Sequence, residues 1–207
     1  VPFDVLSLVF RGAAGRTAPL TRRRDNWCHN ATMSRSPEVR DAVDAGNWQV
    51  ALDLLAADDD RPTDPEHLEL LARAHYGNGD FEAAVAAFER LHTLLVGAGD
   101  DTGAAMAAAM IAMYLMMDTG LMAPVRGWLR RAERLLEGHD EVPADAMIAV
   151  VRCYERFMCG DMRAAGENAA RGIEIGTRQG VDPAVVIGRV CAARVRIFHG
   201  EIERGLD

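Results

Sequence analysis

The chain has 207 residues, 49% of them hydrophobic, 26% charged and 6% aromatic, with a formal charge of −8. These values exclude wholesale disorder, a collagen and a disulfide scaffold. A mix crowded with Ala, Leu, Arg and Met favours helix over sheet, because unbranched side chains lose little rotamer freedom in a helix.

All 23 basic residues are Arg, and 31 acids outweigh them. That balance argues against non-specific nucleic-acid binding by the whole chain, which needs basic surface to neutralise phosphates. Residues 1–33 read differently from the rest. They hold five Arg and two acids, a net of +3, which leaves −11 for residues 34–207. The opening VPFDVLSLVF is apolar but short, carries Asp4 and has no basic residue before it, the reverse of a secretory leader. The first Met is Met33, followed by SRSPEVRDAV, where a capped helix is expected to start. Residues 1–33 are therefore expected to be a disordered or non-native extension, with Met33 as the true start. The rival reading is a basic arm, RTAPLTRRR, that touches nucleic acid or a membrane surface.

From residue 34 onward one pattern recurs. The segments GNWQVAL at Gly46, GDFEAAV at Gly79, GLMAPVR at Gly120, GDMRAAG at Gly160 and GEIERGL at Gly200 each pair a Gly with a bulky apolar residue two places later. Those residues are Trp48, Phe81, Met122, Met162 and Ile202. Five places after each Gly stands Ala51, Ala84, Val125, Ala165 or Gly205. The interval from Gly46 to Gly79 is the shortest, and the three that follow are longer and nearly equal. A Gly after a helical run permits the left-handed backbone that ends the helix and reverses the chain. The bulky residue anchors the return helix, and the small one lets the two helices cross closely. Each unit thus predicts helix A, a Gly turn and helix B, with apolar faces buried by stacking. Pro65, Pro143 and Pro183 mark expected starts of A helices. Gly97, Gly138 and Gly176 mark expected ends of B helices. The most apolar stretch, Ala104 to Met117, falls well short of the about 20 residues that a membrane span needs, and it predicts a core helix.

The stretch 65–96 resembles a tetratricopeptide repeat. Leu68, Leu71 and Ala72 fall on the family's helix A packing positions, Gly79 on its turn, Ala84 on its small helix B residue, and Phe81 and Phe88 on its helix B aromatics. His75 stands where the family prefers Tyr, and Leu91 where it prefers Ala. The later units are longer than the family's roughly 34 residues. With their Ala/Arg-rich style they resemble the helical repeats of large bacterial LuxR/MalT-type transcription regulators. The resemblance covers about residues 37–207. It implies an all-α, TPR-like α-solenoid over 34–207, about five antiparallel helix pairs with the last incomplete, as a fragment of a longer array. It also implies a cytoplasmic protein- or peptide-interaction module of a transcription regulator, or alternatively an effector-sensing domain with an apolar Met/Tyr groove.

The family's groove positions, carried onto this chain, give Glu69, Arg73 and Tyr76, then Met110, Tyr114 and Met117. The next two units give Val150, Tyr154 and Phe157, and Val190, Arg194 and Ile197. Such a groove suits an amphipathic helix or an extended apolar peptide, without direct nucleic-acid or membrane contact. No phosphate loop is present, since the chain has no Lys. His67 and His75 lie eight apart, about two helical turns, too far to share a metal. No nucleophile has an activating motif, and neither an enzyme nor a cofactor is expected. Asp58–Asp60 read as a solvated loop and Asp100–Asp101 as a helix N-terminal pair. Cys28, Cys153, Cys159 and Cys191 form no CxxC pair and read as free, buried thiols.

Overall fold

The computed structural model describes residues 37–57 and 64–206. The expected N-terminal extension, Met33, Cys28 and the Asp58–Asp60 loop lie outside the described residues. Those described form α-helices and no strands. In chain order they are α1 (Pro37–Asp44), α2 (Trp48–Ala56), α3 (Pro65–Gly77), α4 (Phe81–Ala98), α5 (Asp101–Asp118), α6 (Met122–Leu135), α7 (Pro143–Met158), α8 (Met162–Gln179), α9 (Asp182–Phe198) and α10 (Ile202–Leu206). No described helix is long and apolar enough to cross a membrane.

Every bulky residue of the repeating pattern is the first residue of an even-numbered helix. The glycines two places before them, Gly46, Gly79, Gly120, Gly160 and Gly200, all have φ between 64 and 86°. A Cβ would strain that backbone. In four of the five turns the N–H after the Gly donates to the carbonyl five residues back: Asn47 to Ala42, Asp80 to His75, Asp161 to Arg156 and Glu201 to Arg196. Each bond satisfies a carbonyl left open at the helix end. The turn at Gly120 differs, because there the Leu121 N–H donates to the hydroxyl of Thr119 at 3.1 Å.

Helix starts follow from local chemistry. Asp64 accepts from the Glu66 N–H, Asp100 from Gly103 and Asp161 from Ala164, capping α3, α5 and α8. Pro65 and Pro143 open α3 and α7, and Pro183 is the second residue of α9. The ends of the even-numbered helices correct the sequence reading. Gly97 and Gly176 lie within α4 and α8, where the left-handed residues are Gly99 and Gly180, whereas Gly138 follows α6 with φ 86° as expected. Gly176 serves close approach instead: a Cβ there would sit 3.2 Å from the Val181 carbonyl oxygen and 3.3 Å from Ala184 Cβ.

Two compact units are present, one up to Leu94 and one from Leu95. In the first, Val39, Ala42, Val43, Ala51, Leu55, Leu70 and Ala74 form a core lined by Trp48, Leu52, Leu54 and Leu71. In the second, α5 packs on α6 and α7, α7 on α8 and α9, and α9 on α10. Ala51, Ala84, Val125 and Ala165, the small residues of the pattern, have no exposed surface. At Gly205, the fifth, a Cβ would meet Ile197 Cγ1 at 2.5 Å and the Ala193 carbonyl oxygen at 2.9 Å.

The cysteines depart from the expectation of free, buried thiols. Cys153 of α7 and Cys191 of α9 form a disulfide at a sequence separation of 38, and the free Cys159 is exposed. The nearly constant period of the later units brings matching stretches of α7 and α9 side by side, so partners distant in sequence become neighbours.

Candidate interaction surfaces

In the first unit, Glu69, Arg73 and Tyr76 follow one another on α3 at spacings of four and three, which places them along one face. All three are half-buried. Arg73 Nη2 lies 3.2 Å from Asp44 Oδ1 of α1. Burial pushes the Glu69 carboxyl above its ordinary pKa, and the charges of Arg73 and Arg40 offset part of that rise. Tyr76 meets Phe81 edge-on, with ring centroids 5.2 Å apart, and burial pushes its phenol up to about 12.

The second unit sorts the remaining expected positions into core and surface. Tyr114 is 1% exposed and belongs to the core, while Met110 and Met117 beside it are half-buried. Val150 is fully buried against α8, where a Cβ on Gly172 would come within 2.7 Å of Val150 Cγ2. Tyr154 and Arg194 do meet: the guanidinium stands 5.7 Å from the ring centroid. That lies within the range of a cation–π contact. Burial raises the Tyr154 pKa, and the charge of Arg194 works against the rise. Phe157 makes an edge-on contact with Phe198, centroids 6.3 Å apart. Val190 is half-buried, Ile197 is 39% exposed, and Phe198 is 68% exposed. Phe198 was not among the expected groove residues, although it directly follows Ile197 at the end of α9.

A second surface was missed altogether. Arg126 and Arg130 of α6 and Arg152 and Arg156 of α7 line a cleft of about 800 Å³, together with Glu133, Asp161, Ala164 and Asn168. At 100° per residue, Arg152 lies about 160° around α7 from Tyr154, so the cleft and the aromatic cluster occupy opposite faces. The two arginine pairs at i and i+4 spacing were the available sequence clue. Glu155, whose side chain has no exposed surface, contacts three of these arginines. Arg126 Nε donates to its Oε1 at 2.6 Å, and Arg156 Nε and Arg152 Nη1 stand 3.3 and 3.8 Å from Oε2. Burial alone would raise the pKa of Glu155. The hydrogen bond from Arg126 and the charges of Arg156, Arg126 and Arg152 outweigh it and hold the carboxyl below its ordinary value. Arg152 Nη2 also pairs with Glu133 at 2.5 Å, and Arg126 Nη2 lies 2.9 Å from Cys159 Sγ. Among the described residues no three His, Cys, Asp or Glu side chains gather as a metal site.

No known family profile matches the chain, and no curated protein does. Solved structures do. Two are of nearly identical TPR-like repeats from a Podosopora anserina protein described as a kinesin light chain, one of them in a substituted form. The substituted form aligns with a TM-score of 0.57 at 17% identity, covering 81% of this chain and 86% of that one. The other aligns with a TM-score of 0.55 at 16% identity and the same coverage. At that identity the likeness is one of fold, and the fold of this chain is all-α and TPR-like.

Proposed function

We propose that this chain is a non-catalytic protein-interaction module, and that the α7–α9 face carrying Tyr154, Phe157, Arg194, Ile197 and Phe198 receives an apolar peptide segment. The carrying observation is the pairing of Arg194 over Tyr154 beside the Phe157–Phe198 contact. It joins two successive odd-numbered helices into a mixed aromatic and cationic surface with exposed apolar rims. Aromatic residues and Arg are the side chains over-represented in the energetic centres of protein interfaces. The parent we propose is a longer regulator of the LuxR/MalT type, for which the long repeat units and the Ala/Arg-rich style are the support. An effector pocket between Met110, Tyr114 and Met117 is less favoured, because Tyr114 is already sealed in the core.

Phe198→Ser and Arg194→Gln test the reading, since Phe198 is largely exposed and Arg194 half-buried. In a pull-down with mass-spectrometric identification, each variant should lose the partner captured by the parent chain, with an unchanged melting temperature. Retention of that partner by both variants would overturn the assignment of this face.

A further inference from the structure

We propose that the cleft between α6, α7 and α8 is a carboxylate-binding site, independent of the apolar peptide surface on the opposite face of α7. Four guanidinium groups, those of Arg126, Arg130, Arg152 and Arg156, meet three carboxylates there: Glu133, Glu155 and Asp161. The site therefore keeps one positive charge in surplus, within a chain whose formal charge is −8. The carboxylates are already committed. Glu155 has no exposed surface and draws on three of the arginines. Glu133 binds Arg152, and Asp161 caps the first turn of α8.

What remains available points the same way. Arg130 is exposed and makes no ion pair among the described residues. Arg156 meets Glu155 through Nε, which leaves its two terminal nitrogens for the cleft. A guanidinium is a planar fork that matches a carboxylate through two parallel hydrogen bonds. Glu155 anchors the arginines in advance, so a ligand would find them ordered and would lose less entropy on binding. One carboxylate group of a ligand neutralises the surplus. The acidic side chain of a partner peptide and a free carboxylate metabolite share this chemistry.

The test uses the full chain at low ionic strength, where charge attraction is least screened. A capped tetraglutamate peptide, its tetraglutamine counterpart and citrate are titrated while the arginine Nε–H resonances are followed. Saturable binding of tetraglutamate but not tetraglutamine is expected. Arg130→Gln should weaken it about fivefold or more, the loss of one charge-assisted hydrogen bond. Arg163→Gln, on α8 outside the cleft and 83% exposed, should change it less than about twofold. Both variants should melt as the parent does. Citrate binding with the same sensitivity to Arg130→Gln, in the absence of tetraglutamate binding, would support the site and assign the carboxylate to a small molecule. No saturable binding of either, or equal loss in both variants, would overturn the proposal. Phe198→Ser leaves the titration unchanged, so failure of the apolar face and failure of the cleft can be told apart.

Discussion

Glu155 shows how a single ionised side chain is tolerated without water. A carboxylate removed from solvent must be compensated, and three guanidinium groups compensate this one, with Arg126 at 2.6 Å the nearest. Its pKa in the folded chain is held below the ordinary value, so its stabilising contribution is complete above the unfolded-state pKa. That contribution is lost as pH falls through the folded value. Glu155→Gln is expected to lower stability at pH 7 by about 1–3 kcal/mol, less than for a wholly buried pair because its arginine partners remain partly in water. The gap between variant and parent should narrow as pH falls below the ordinary carboxylate range, which urea titrations across pH would measure. Glu69 has the opposite sign. Burial raises its pKa, so its carboxylate opposes folding at neutral pH and the penalty falls as pH drops through the raised value. Glu69→Gln should therefore match or exceed the parent in melting temperature at pH 7, and lose that advantage in acid.

At the scale of helices, each hairpin depends on a left-handed Gly and a small residue at the crossing. Gly160→Ala places a Cβ on a backbone at φ 82° and should cost about 1–2 kcal/mol in thermal denaturation. Ala165→Leu adds bulk at a fully buried contact and should cost about 1–3 kcal/mol. These elements were legible in the sequence because both devices repeat: Trp48, Phe81, Met122, Met162 and Ile202 align on their glycines. The ends of α4 and α8 were not legible. Gly97 and Gly99, or Gly176 and Gly180, look alike in sequence; at Gly176 packing against α9 explains the choice, whereas a Cβ on Gly97 would meet nothing. The surface on α7 and α9 was half legible for the same reason. Helical spacing could place Val150, Tyr154 and Phe157 on α7, but it could not show that Gly172 lets α8 close over Val150. The arginine cleft was hidden more deeply, since it joins charges from helices whose spacing in the chain carries no periodic mark.

In the whole molecule, the strongest departure from expectation is covalent. Cys153 and Cys191 show no motif, and their sequence separation of 38 becomes meaningful only once α7 and α9 lie side by side. Reduction, or Cys191→Ser, should destabilise the second unit by about 2–4 kcal/mol, the usual effect of a cross-link closing a loop of this size. Denaturation with and without a reductant would measure it. The bond also decides how the chain would bear a mechanical load. Pulled from its two ends, the oxidised molecule passes tension directly from residue 153 to residue 191, and the last turn of α7, all of α8 and about half of α9 hang slack outside the line of force. Each residue spans at most about 3.5 Å when stretched, so roughly 13 nm of contour length stays hidden until the sulfurs part. Optical-tweezer traces should show that extra extension in reducing buffer alone.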